Sequence, residues 1–267
     1  MATILALSSK VARGSVGLNA IVPALHALGH HVIELPTVWL SNHPGHGSAA
    51  RQVIEPAKLI EMFYELDEHG WLSGIDAVLT GYLPTKGHVE AASEMIGHVK
   101  RVASSPLIAI DPVCGDDPTG LYIEAAAAAV IRDRLIHSAH VMFPNRFELE
   151  YLSERPCDRI EDVIEAMSVF QPTVVVATSI ARPDGELDTI LFNRGDVQHA
   201  SVKRRSKVPN GTGDMLSALV LGAWFHGGGW GKALTRAVEI VDAMLDASEG
   251  RDELAISELG RIVARTT

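Results

Sequence analysis

Cysteine is scarce in this chain of 267 residues: Cys114 and Cys157 are the only two, and they stand far apart. Two thiols at that separation supply neither a metal-binding spacing nor a disulfide framework, which points to a reducing compartment. Positive charge is scarce as well. Lys and Arg number 23 against 33 Asp and Glu, a formal net charge of −10. Such a surface repels nucleic acid and anionic membrane, and neither is expected as a partner. A local phosphate pocket is still compatible with such a surface. No apolar run approaches the roughly 20 residues of a bilayer span. The first ten residues, Met1 to Lys10, lack the positive start and long apolar core of a secretion signal. A cytoplasmic protein is expected. Aromatic residues make up 5%, but hydrophobic residues reach 47% and charged ones 21%, which describes an ordinary globular core.

Short apolar runs alternate with longer stretches of helical period, the pattern of βαβ units around a mostly parallel sheet. Strands are expected at Thr3 to Leu7, His31 to Leu35, Ala77 to Thr80, Leu107 to Ile110, His140 to Phe143 and Thr173 to Ala177. Leu187 to Asn193 and Val197 to Lys203 read as an antiparallel hairpin turning at Arg194-Gly195-Asp196. Helices are expected at Gly17 to Leu28, Ala57 to Gly70, Gly87 to Val102, Tyr122 to Ile136, Arg159 to Phe170, Asp214 to Phe225 and Gly231 to Ala247. With no repeat, linker or composition break, residues 1–267 are expected to form a single domain. The fold class is α/β, three-layered α/β/α. In such sheets ligands bind beyond the carboxyl ends of the strands. Ser8-Ser9, Thr80-Gly81-Tyr82, Asp111-Pro112-Val113, Pro144 to Glu148 and Thr178-Ser179 all fall at those ends. Any one of them is an ordinary turn. Five on one edge suggest a site.

The most informative stretch is Asn210-Gly211-Thr212-Gly213-Asp214, which runs directly into the apolar series Met215 to Phe225. Two glycines leave backbone N–H groups unshielded, and the helix that follows turns its positive end toward them. That is an anion site suited to phosphate. Ser or Asn would cap such a helix equally well, so an acid at Asp214 suggests a base for an attacking hydroxyl. From the motif alone, a plain Asp cap fits too.

Taken together, the motifs resemble those of the pyridoxal kinases, nearer the bacterial branch, within the ribokinase-like superfamily. The matching pieces are Ser9 with Gly14-x-x-Gly17, Thr37-Val-x-x-Ser41-Asn42-His43, Gly81-Tyr82-Leu83 and Asp111-Pro112-Val113-x-Gly115-Asp116. Pro144-Asn145-x-x-Glu148-Leu149, Thr178-Ser179 and Gly211-Thr212-Gly213-Asp214 complete the set. The resemblance implies an ATP:alcohol phosphotransferase of vitamin B6 salvage that makes pyridoxal 5′-phosphate. It implies Asp214 as the base, with Gly211, Thr212 and Gly213 as the anion hole. Asp111 and Glu148 would hold a magnesium–phosphate network, with Asn145 and Thr178 toward the nucleotide. Ser9, Tyr82, Pro44 and Gly45 would surround the vitamer ring. A small lid at about residues 39–55, a homodimer and an assisting monovalent cation are further implications. Residue types alone leave Asp111 as a turn cap, Glu148 as a first-turn acid and His43 as a local hydrogen-bond partner.

Several positions depart from the family pattern: Pro44 stands for Thr, Arg51 for a lid glycine, Phe143 for Thr or Ala, and Leu18 for Asn, with Asn19 beside it. Lys203, Arg204, Arg205 and Lys207 precede the glycine turn, either to offset phosphate charge or as a solvated loop. A hydroxymethylpyrimidine kinase is the nearest rival, although such enzymes usually carry Cys where this chain has Asp214. A catalytically weakened B6- or nucleotide-binding homologue is the rival from another class.

Overall fold

The computed structural model describes residues 1–170 and 173–266. In chain order the elements are β1 (Thr3–Arg13), α1 (Leu18–Ala27), β2 (His31–Asn42), β3 (Arg51–Val53), α2 (Pro56–Glu68) and β4 (Ala77–Thr80). Next come α3 (Lys86–Val102), β5 (Leu107–Ile110), the two-residue strands β6 (Gly115–Asp116) and β7 (Gly120–Leu121), and α4 (Ala125–Asp133). Then follow β8 (Val141–Met142), α5 (Arg146–Ser153), α6 (Ile160–Ser168), β9 (Val174–Ala181), β10 (Glu186–Asn193) and β11 (Asp196–Lys203). The helices α7 (Thr212–Phe225), α8 (Gly229–Ala247) and α9 (Leu259–Val263) close the chain.

Nine of the strands form one sheet in the order β11-β10-β9-β8-β5-β4-β1-β2-β3. The pairings from β2 through β9 are parallel, while β2–β3, β9–β10 and β10–β11 are antiparallel. Period-2 alternation splits the core into two layers. Ile4 and Ala6 of β1 pack with α1, α7, α8 and α9, whereas Leu5 and Leu7 pack with α2 to α6. This is the expected three-layer α/β/α arrangement. α7 is apolar all round, as befits a helix with nine consecutive buried residues, Met215 to Ala223. Each fully buried Leu or Met there contributes about 1.5–3 kcal/mol of transfer free energy. From β1 the chain moves to β2 and β3 on one side, then returns to β4, β5, β8 and β9 on the other. The order reverses between β1 and β4, which is where an open α/β sheet presents its ligand crevice.

Three expectations need correction. β1 and β2 run on to Arg13 and Asn42, well past Leu7 and Leu35. A register shift interrupts the β1–β2 ladder between Ser8 and Lys10, and β3 pairs with the extended part of β2 at the sheet's edge. The helix expected from Tyr122 begins only at Ala125, because the Tyr122 amide donates to Cys114 O (3.0 Å) and stays with the β6–β7 ribbon. Arg205 is drawn off toward α8, bonding Asp242 (2.6 Å) and Asp246 (2.7 Å).

Candidate active site

Two adjoining cavities lie beyond the strand ends. One, of about 540 Å³, is lined by Ser9, Val38, Leu40, Pro44, Gly45 and Tyr82 among others. The other, of about 300 Å³, is lined by Asp111, Phe143, Asn145, Glu148, Thr178 and the glycine turn. Val113, Asp116, Tyr122, Asn210, Gly211 and Asp214 line both. Every site residue expected from the sequence therefore falls in one of the two. A larger cavity of about 680 Å³ sits between the β10–β11 turn and α8 and contains none of the motifs.

Asp214 stands in the first turn of α7, behind Gly211, whose φ of 94° is left-handed. A Cβ at Gly211 would lie 1.8 Å from Ser15 O, so glycine is obligatory there. The loop from Ser15 to Gly17 packs against the turn and reaches the acid directly. Gly17 N–H donates to Asp214 Oδ2 at 2.9 Å. This bond fixes one carboxylate oxygen of a residue that lines both cavities. Desolvation by the surrounding protein lifts the Asp214 carboxyl to about 6, against the pull of the Gly17 amide. It is ionised at neutral pH, with a basicity suited to proton abstraction.

Asn145 and Glu148 cap α5 reciprocally. The Glu148 amide donates to Asn145 Oδ1 (2.9 Å), and the Asn145 amide donates to Glu148 Oε2 (3.0 Å). The other Glu148 oxygen accepts from Cys114 N (2.7 Å), and Asn145 Nδ2 donates to Gly115 O (2.8 Å). The cap thus ties α5 to the loop after β5. Glu148 is 2% exposed, and burial pushes its carboxyl to about 7 despite those amides. Asp111, 7% exposed, lies well above the usual carboxylate range through burial and the charges of Glu148 and Asp214. Val113, with φ 39°, turns its amide toward Asp111; a β-branched residue so placed carries strain that the surrounding turn must hold.

None of the three acids pairs with a Lys, Arg or His among the described residues. Nor do the described residues contain a cluster of three or more His, Cys, Asp or Glu that could cage a metal. Few carboxylates, deprived of cations, suit an ion such as magnesium that takes much of its shell from water and phosphate oxygens. The donor set fits. One consequence is measurable without any ligand. The folded-state carboxyl of Asp111 is raised above its ordinary 3.8, so ionising it costs stability, a cost absent near pH 4 that grows as pH rises. Asp111→Asn is expected to raise the melting temperature at pH 8, a gain that shrinks toward pH 4. Equal melting curves at pH 8 would contradict this strain.

On the side of the 540 Å³ cavity, Ser8 Oγ accepts from Tyr82 N (3.1 Å), and Thr37 Oγ1 donates to Tyr82 O (2.7 Å), which fixes Tyr82 at the end of β4. His43 accepts from Gly45 N (3.1 Å), the local role its residue type suggested, and begins the turn Pro44–His46. Phe143 is buried in the wall of the smaller cavity. Asn19 bonds the backbone of Val11 through both its amide atoms and serves the loop rather than the cavities. The sequence reading missed Asn210 and Tyr122 as lining residues. The Tyr122 ring lies 6.5 Å from that of Tyr82 at 26°, and desolvation, Glu148 and Asp111 push its phenol well up. Asn210 directly precedes the glycine turn; Tyr122 carried no signal beyond its closeness to Gly115-Asp116.

The family model described as phosphomethylpyrimidine kinase matches residues 56–255. Pyridoxal kinase PdxY of Leifsonia xyli is 32% identical over 96% of this chain and 93% of its own. Its counterpart from Deinococcus radiodurans is 31% identical over 91% of this chain and 86% of its own. Pyridoxal kinase from Entamoeba histolytica superposes with a TM-score of 0.93 at 21% identity, covering 100% of this chain and 97% of that one, a likeness of fold. Pyridoxal kinase from Leishmania donovani, in complex with ADP and pyridoxine, gives 0.91 at 25% identity over 99% and 96%. The chain belongs to the phosphomethylpyrimidine kinase family and, within it, to the pyridoxal kinases.

Proposed function

We propose that the protein transfers the terminal phosphoryl group of ATP to the 5′-hydroxymethyl group of pyridoxal, yielding pyridoxal 5′-phosphate, with pyridoxine and pyridoxamine as further substrates. The observation that carries this reading is the position of Asp214. A carboxylate lifted to about 6 sits where an aromatic-walled cavity meets one built of amides and acids. The curated relatives are named pyridoxal kinases, and the Leishmania structure is of a complex with ADP and pyridoxine.

In this reading Tyr82 packs on the pyridine ring, Ser9 hydrogen-bonds its edge, and Pro44 and Gly45 cover it from the lid at about residues 39–55. The hydroxymethyl group then points to Asp214, which takes its proton as the oxygen attacks phosphorus. The backbone amides of Gly211, Thr212 and Gly213, at the positive end of α7, receive the charge that builds on the transferring group. Asn145 and Thr178 position the nucleotide phosphates. Asp111 and Glu148 would hold magnesium, directly or through water, and that ion would neutralise phosphate charge. A single domain, a homodimer, a cytoplasmic setting and an assisting monovalent cation belong to the same proposal, on the family resemblance.

The rival is a kinase of hydroxymethylpyrimidine, a pyrimidine related to the one in the family model's description, phosphomethylpyrimidine kinase. Purified protein with magnesium-ATP, the three B6 vitamers, hydroxymethylpyrimidine and ribose, scored for ADP release, separates the readings. Pyridoxal-dependent release is expected. Turnover of hydroxymethylpyrimidine alone would replace the substrate assignment, and binding of pyridoxal without any turnover would favour a non-catalytic homologue.

A further inference from the structure

Arg51 stands in the wall of the ring cavity. Its place follows from register. β3 pairs antiparallel with β2, setting Arg51 opposite Leu40, Gln52 opposite Trp39 and Val53 opposite Val38. Val38 and Leu40 line the cavity while Trp39, half exposed, faces away. The period of two therefore puts Arg51 on the same face as Leu40, at the solvent-exposed rim of the cavity, and Gln52 on the other face. The Arg51 guanidinium makes no hydrogen bond or ion pair with protein among the described residues, so its five N–H donors are open to a ligand. Its charge nonetheless reaches Tyr82, where it opposes the upward push of burial on the phenol.

The other ionisable groups around the cavity do not cancel it. His43 is held toward its neutral form by burial and by His46. Asp214 is tied to Gly17 at the phosphate end. Asp116 shares the phosphate end too, since it lines both cavities. The lid side of the ring thus meets one guanidinium among Val38, Leu40, Pro44 and Ala49, with His43 held toward neutral.

We propose that Arg51 determines which B6 vitamer this chain prefers, favouring pyridoxal and disfavouring pyridoxamine. The inference rests on the B6 reading given above. The vitamers share the ring and the 5′-hydroxymethyl group and differ at carbon 4. Pyridoxal presents a carbonyl oxygen there beside the oxygen on carbon 3, two acceptors that a planar guanidinium fork can bind together. Pyridoxamine presents an aliphatic amine that is an ammonium at neutral pH. Two cations in one cavity repel, and the partly apolar wall screens them less than water does. Pyridoxine, neutral with a flexible hydroxyl, falls between.

The test is kcat/KM for the three vitamers with native protein, Arg51→Gln and Arg51→Lys. Arg51→Gln is expected to raise the pyridoxamine-to-pyridoxal ratio on the order of ten-fold, while Arg51→Lys keeps it low. Dissociation constants for pyridoxal and pyridoxamine without nucleotide should shift in the same sense, which preserves the test if a variant loses turnover. An unchanged ratio in Arg51→Gln, by either measure, overturns the assignment of Arg51 and leaves the kinase reading standing. Native protein that neither binds nor phosphorylates any vitamer overturns both.

Discussion

Asp214→Asn should lower kcat by a factor on the order of 10²–10⁴, the usual cost of losing a general base, with pyridoxal and magnesium-ADP still bound. The substitution is close to isosteric, and the amide oxygen can keep the bond from Gly17 N–H that holds the native side chain at 2.9 Å. It removes the proton acceptor while keeping shape, so binding and chemistry should separate. The native pH profile carries the same information. Because burial raises this carboxyl to about 6, the fraction able to accept a proton falls as pH drops through that value. Native kcat/KM is therefore expected to decline below about pH 6, and the residual activity of Asp214→Asn should lack that limb. Turnover near the native rate in the variant would remove Asp214 from the chemistry.

The fold class was legible because each layer wrote its own period. Alternate residues of β1 and of β5 belong to opposite core clusters, Leu107 and Ala109 facing one way, Ile108 and Ile110 the other. The β10–β11 hairpin was legible too. Arg194 and Gly195 both take positive φ, 53° and 93°, as a two-residue turn between twisted strands requires. What resisted reading depends on contacts made at a distance. The extensions of β1 and β2 contain Pro36 and several polar residues, and each is held by pairing with the other past the register shift. The short helix α5 could have been found, since Asn145-x-x-Glu148 is a capping-box spacing. Many of the residues that line the two cavities could be singled out from short motifs at strand ends, because such motifs hold particular residue types at fixed places. The site's second tier was hidden. Gly17 holding Asp214, and Asp242 and Asp246 drawing off Arg205, link residues far apart in the chain, and no local pattern announces them.

The two glycines of the α7 turn should fail in different ways. Gly211 is demanded by the protein itself, through its positive φ and the 1.8 Å approach of any Cβ to Ser15 O. Gly211→Ala must push back the loop that carries the Gly17 amide, so both melting temperature and turnover are expected to fall. Gly213 lies in the first turn of α7, and a Cβ there would meet no protein atom within 4 Å. The fold does not need it, yet it lines the phosphate-side cavity. Gly213→Ala should leave the melting temperature unchanged or slightly higher, since a helix prefers Ala to Gly by up to about 1 kcal/mol. Gly213→Val should also fold, while its branched side chain bars close approach of a phosphoryl group to the amides. Loss of such donors costs on the order of 10²–10³ in rate, and kcat/KM for ATP should drop by at least the lower figure. The pair of measurements distinguishes a glycine kept for shape from one kept for ligand access. A Gly213→Val protein that melts normally and consumes ATP at the native rate would show that phosphate passes elsewhere, and the anion hole would have to be sought away from α7.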